Sequence, residues 1–284
     1  GYSTAIERVS AHTADVMTTV SHVTDSECEY LLGRKSDIIL PNGLQINDYE
    51  DVHRLQTRHL RYKTKINDFI MGHFFNNYTF DLDNTFYFFT SGRYEYANKG
   101  YDLTLEALKR LNERKKSVKR EQKVVMSLIT KREVTTINPL VLELRSLLDE
   151  VKETCTAIEK QIGERLYYTA AQSEKDFTLP DLNKLVDEYW QFRYKKTLLS
   201  WKTPYLPIIV THNLVDDQGD DILNFMRKNK MYNQEENPVK IIYHPDFIDS
   251  TNPLFKLDYT QFIRGCHLGI FPSYYEPWGY TPVE

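Results

Sequence analysis

The chain has 284 residues, 41% of them apolar and 27% charged, with a formal net charge of −4. That length allows more than one domain, and the balance is that of an ordinary globular protein without the basic excess of a nucleic-acid binder. No apolar stretch approaches the ~18 residues of a membrane helix, and no signal-peptide pattern opens the chain.

Aromatic residues are abundant at 13%, with twenty tyrosines, which suits flat hydroxylated ligands and large cores equally. Cys28, Cys155 and Cys266 form an odd, scattered set. They lack metal-ligand spacing and point to a reducing, cytoplasmic setting; no metal and no cofactor are expected. The chain lacks an initiator methionine and ends inside a motif, so an internal segment of a longer protein is expected.

Short apolar, β-branched runs recur along the chain at residues 16–21, 38–40, 85–91, 124–130, 208–211, 240–244 and 268–272. Several lack polar alternation, as do strands buried on both faces of a parallel sheet. Helical patterns between them cover residues 102–113, 220–230 and 258–264, with Asp102 and Asp258 as expected N-caps and Gly265 as an expected C′ residue. This alternation predicts a doubly wound α/β fold, whose ligands bind at the carboxyl ends of the strands.

Residues 139–201 break the alternation. Leu144, Leu148, Val151, Cys155, Ile158 and Ile162 repeat at spacings of four and three, a seam of about three heptads. Leu185, Tyr189 and Phe192 would supply a second arm. The segment reads either as a helical hairpin packed on its own domain or as a subunit contact. The basic run at 114–123 reads as a solvated loop.

Two loops attract attention. In "FYFFTSGRYEYANKGYDLTLEAL", Arg93 and Lys99 flank a loop between a buried strand and a helix. A guanidinium, an ammonium and a helix N-terminus suit a diphosphate, although such cations are ordinarily just solvated. In "FPSYYEPWGYTPVE", Thr281, Pro282 and Glu284 have the form of a helix start, so Glu284 could simply complete a capping box. Glu276, beside Pro277 and between Tyr275 and Trp278, is expected to be buried and to need a partner. A structural cation or a ligand would serve.

These residues, with "RGCHLGIFPSYYEPWGYTPVE", "SGRYEYANKG", "ILPNGL", "IERVSAHTADVMTTVS" and "IVTHNLVDD", closely resemble the eukaryotic-type glycogen synthases along the whole chain. Two glutamates with seven residues between them would alone suggest only a retaining glycosyltransferase of the two-Rossmann-domain (GT-B) type. The resemblance implies a UDP-glucose glucosyltransferase that elongates glycogen through α-1,4 linkages. Residues 1–40 would end an N-terminal acceptor-side domain. Residues 41–284 would be the donor nucleotide-binding domain, with a coiled-coil-like helical insertion at about 139–202.

It further implies that Arg93 and Lys99 bind the diphosphate and stabilise departing UDP, and that Glu276 lies against the donor glucose. Tyr259 would stack on uracil, Tyr280 and Thr281 would reach the phosphates, and Glu284 would contact the ribose. His53, Gln56, His59 and Lys63 share one helix face by spacing; read alone, that face is only polar and partly basic. The resemblance makes it part of a glucose-6-phosphate activator pocket, with His267. A homotetramer is implied, with glycogenin among the partners.

The family's glycine-rich loop and its arginine-rich helix do not appear in this sequence. His12 is expected to be structural, and this segment alone to be inactive. A starch- or sucrose-type transferase and a non-catalytic assembly module on the same fold remain alternatives.

Overall fold

The computed structural model describes residues 2–43, 52–118, 121–173 and 178–279, without the side chains of residues 2, 52 and 53. The first segment is a small α/β unit. Helix α1 (Tyr2–Thr13) packs on α2 (His22–Leu32), and β1 (Thr18–Thr19) pairs in parallel with β2 (Ile38–Ile39). Ser21 and Thr24 cap α2 reciprocally. His12 Nε2 is 2.9 Å from the Leu32 carbonyl, a structural tie as expected.

The main body is a four-stranded sheet in the order β7-β4-β3-β8, parallel throughout. Its strands are β3 (Thr85–Arg93), β4 (Lys123–Lys131), β7 (Val239–His244) and β8 (Leu268–Gly269). Alternation along β4 explains the layering, since successive side chains point to opposite faces. Val125 and Ile129 enter one core with α3 (Val52–Phe74) and α8 (Tyr259–Gly265). Val124, Met126 and Leu128 enter the other with α4 (Tyr101–Ser117) and α7 (Asp221–Lys228).

Both faces of β4 and β7 are therefore covered, and this is why their sequences lack polar alternation. Helix α3 contributes Tyr62, Ile66, Phe69, Ile70 and Phe74, an apolar stripe at spacings of three and four. Asp258 caps α8 by accepting from the Gln261 amide, as its sequence pattern predicts.

Several expectations are corrected. Residues 208–211 run beside β7 but make only one bridge, Val210 with Tyr243. Strand β8 stops at Gly269, so the aromatic loop starts earlier than residue 272. The cap of α4 is Gly100, with φ 68°, and Asp102 lies in the first turn. Gly265 is the last helical residue of α8 and does not adopt a left-handed conformation. It is needed for close packing: a Cβ there would lie 2.9 Å from the Tyr62 carbonyl carbon on α3. A strand absent from the sequence reading, β5 (Val134–Ile137), pairs antiparallel with β6 (His212–Leu214).

Among the described residues of 139–201 there is no strand, and two helices form the expected hairpin, with a short 3-10 turn at Leu182–Leu185 between them. Helix α5 (Pro139–Gln172) runs beside α6 (Glu188–Trp201), joined across by Arg193 and Glu150 at 3.2 Å. Leu148 packs on Gly72 of α3. Cys155 is exposed, and Tyr189 and Phe192 are 62% and 68% exposed, so neither aromatic forms the inner seam with α5.

Leu128 is fully buried at the centre of β4. Leu128→Ala should lower unfolding free energy by about 2–5 kcal/mol, measured by urea denaturation.

Candidate functional site

Strand β3 has β4 on one side and β8 on the other. The chain winds from β3 through β4 to β7, then crosses back to β8 on the opposite flank of β3. The order therefore reverses between β3 and β8, where open parallel sheets form their ligand crevice. The loops leaving these two strands carry Arg93 and Lys99 on one side and Glu276 on the other.

The loops are bound by their backbones. The Tyr274 amide donates to the Asn98 carbonyl at 2.8 Å. Gly100 lies directly against Pro272: a Cβ there would sit 2.1 Å from the Pro272 carbonyl oxygen. The left-handed φ and this overlap together demand glycine. Its turn lets the chain enter α4 while keeping the cationic loop against the aromatic one.

Arg93 ends β3 with its side chain 83% exposed and its Nε 3.4 Å from a Glu95 carboxylate oxygen. The Asn98 amide donates to the other Glu95 oxygen at 2.6 Å. That bond, with the nearby Arg93 and Lys99 cations, holds the Glu95 carboxyl below the usual carboxylate range. Glu95 and Asn98 thus organise the loop, a role the sequence reading missed; the only local signal was their place between the two cations. Tyr259, at the start of α8, is half-buried, its hydroxyl 2.6 Å from that of Ser91 on β3.

The expected burial of Glu276 is corrected. The residue is exposed, as are its neighbours Tyr275 and Tyr274, because the loop meets the cores only at its start, through Ile270 and Phe271. The expected partner is present: Lys99 donates to the Glu276 carboxylate, and Ser273 Oγ lies 3.5 Å from the same oxygen. Tyr280, Thr281 and Glu284 lie outside the described residues.

A second cluster forms where α3 meets α8 and β8. His59 donates through Nδ1 to the Arg264 carbonyl at 2.9 Å, and its ring meets that of His267 edge-on at 4.8 Å. His267 is fixed on β3 twice. Its amide donates to the Tyr87 carbonyl at 2.7 Å, and its Nδ1 accepts from the Tyr87 amide at 2.9 Å. That acceptor role requires a neutral ring with the proton on Nε2. Partial desolvation and the neighbouring His59 and Lys63 push its imidazole down to about 4.

Lys63 is half-buried on the same face of α3, and Gln56 is exposed one turn before His59. His53 belongs to the first turn of α3, but its side chain lies outside the described residues. A cleft of about 460 Å³ runs from this cluster to Tyr259, lined by His59, His267, Phe89, Tyr259 and Phe271 among others.

A parallel doubly wound sheet with cations and a carboxylate at its switch point defines an α/β protein with a candidate ligand crevice. Comparison with known sequences gives the family: residues 2–284 match the glycogen synthase family model. The chain is 43% identical over 279 residues to "Glycogen [starch] synthase" of Neurospora crassa. It is 46% identical over 286 residues to "Glycogen [starch] synthase isoform 2" of Saccharomyces cerevisiae, and 40% over 279 to the liver protein of Homo sapiens. Each match covers 98% of this chain but only about 40% of the relative's length. The chain belongs to the glycogen synthase family.

Gly100→Ala should cost at least about 1–2 kcal/mol from the left-handed backbone alone. Gly163→Ala, in the exposed part of α5 with open space around it, should be neutral or stabilising by up to about 1 kcal/mol. Paired urea titrations of the two variants test the difference.

Proposed function

We propose that the protein transfers glucose from UDP-glucose to the non-reducing end of glycogen in α-1,4 linkage, retaining the anomeric configuration. The observation that carries this reading is the convergence of Arg93, Lys99 and Glu276 at the sheet's switch point, in a chain of the glycogen synthase family. The fold is read as the GT-B type. Residues 1–40 close the acceptor-side domain, and residues 41–284 form the donor domain with its insertion at about 139–202.

The chemistry follows from charge. UDP departs as an anion while positive charge grows on the sugar ring. Arg93 and Lys99 stabilise the departing diphosphate, acting where charge develops in the transition state. Tyr259 stacks on uracil, its hydroxyl steadied by Ser91. The Glu276 carboxylate faces the sugar and stabilises its positive charge. Tyr280 and Thr281 reach the phosphates, and Glu284 the ribose.

Glucose-6-phosphate binds at the second cluster as an activator. His53, Gln56, His59 and Lys63 on α3 and His267 beside them supply the ligands. The fixed Nε2–H of His267 and the Lys63 ammonium are suitable phosphate donors. Exposed Tyr189, Phe192 and Leu199 on α6 support a subunit-contact role for the insertion, in a homotetramer. Glycogenin is a further partner, and the compartment is the cytoplasm.

In the full-length protein, Glu276→Gln should lower kcat far more than it alters UDP affinity, whereas Arg93→Ala should lower kcat/KM for UDP-glucose at least ~10-fold. Near-normal turnover of both would reject the catalytic reading. The double variant His59→Ala, Lys63→Ala should lose stimulation by glucose-6-phosphate while keeping basal turnover; retained stimulation would reject the activator site.

A further inference from the structure

The groups proposed to act on the diphosphate and on the sugar of the donor are bonded to each other. Lys99 donates to Glu276, with the lysine side chain 16% exposed and the glutamate 36%. The pairing is built into the backbone. Tyr274 is hydrogen-bonded to Asn98, the residue before Lys99, and Gly100, the residue after it, is seated on Pro272. Ser273 approaches the same carboxylate oxygen from its own loop. Arg93 is differently placed: it is largely exposed, and its neighbouring carboxylate is Glu95.

In the unliganded chain the Lys99 ammonium is paired with one anion, Glu276. A diphosphate held by Arg93 brings a greater negative charge into the same place, and an ammonium on a flexible stem can swing to it. We infer that the Lys99–Glu276 pair is a donor-operated latch: the diphosphate takes Lys99 and releases Glu276 to face the sugar. The inference rests on the diphosphate reading of Arg93 and Lys99.

It has a counterintuitive consequence. The carboxylate competes with the diphosphate for Lys99, so removing the carboxylate should strengthen nucleotide binding. Titration calorimetry of UDP into the full-length protein tests this. Glu276→Gln should tighten UDP roughly two- to fivefold, the range expected of a partly exposed ion pair. Lys99→Met should weaken UDP, and adding Glu276→Gln to that background should change the affinity less than about 1.5-fold, because the pair is already gone.

Unchanged or weaker UDP binding by Glu276→Gln would overturn the latch. Equal tightening with and without Lys99 would also overturn it, since that outcome reports only the loss of a nearby negative charge. Failure of the unsubstituted protein to bind UDP would remove the diphosphate reading, and the latch with it. Glu276→Ala should give the same sign as Glu276→Gln, and circular dichroism of each variant verifies the fold.

Discussion

The parallel pairing of β3 with β8 is the constraint on which the site depends. Phe88 and Phe89 lie opposite Leu268 and Gly269. That short ladder fixes how far each chain travels before it turns, and so places the two loops at one height on the sheet's carboxyl edge. Lys99 and Glu276 lie 177 positions apart in the chain, and this ladder brings the loops that carry them together. The contact of Gly100 with Pro272 then turns proximity into a defined geometry, because two backbones that close leave little freedom for the side chains between them.

The same strand pair ties the two proposed sites together. Helix α8 carries Tyr259 at its beginning and the Arg264 carbonyl, bonded to His59, near its end. His267 follows directly and is held at both backbone and ring by Tyr87. With seven residues and a glycine pressed onto α3, α8 has little room to bend. One seven-residue helix thus lies between the two proposed sites, with Tyr259 at its start and the His59 contact near its end.

How far the molecule could be read from its sequence follows the reach of each interaction. Strands β4 and β7 were legible because both of their faces are buried, which leaves continuous apolar runs. Strand β5 was not, since its four residues are only partly buried and its partner strand lies over seventy positions downstream. Asp102 has the right chemistry for a cap, but Gly100 takes the position because only glycine can pass under Pro272. The loop's aromatic composition suggested burial for Glu276; Tyr274, Tyr275 and Trp278 are instead exposed. The candidates Arg93, Lys99 and Glu276 were legible from motif and resemblance, yet their mutual pairing was not, because an ion pair across a sheet leaves no local pattern.

The Tyr275 hydroxyl donates to Glu27 of α2 at 2.5 Å, a bond that pushes the phenol up to about 12. Tyr275 is the residue immediately before Glu276. The small N-terminal unit thus grips the loop one peptide away from its carboxylate, while Lys99 grips it from the sheet. Any rotation of α2 against the sheet acts on that loop as a lever with a very short arm, so that the angle between the two units becomes a coordinate of the site itself.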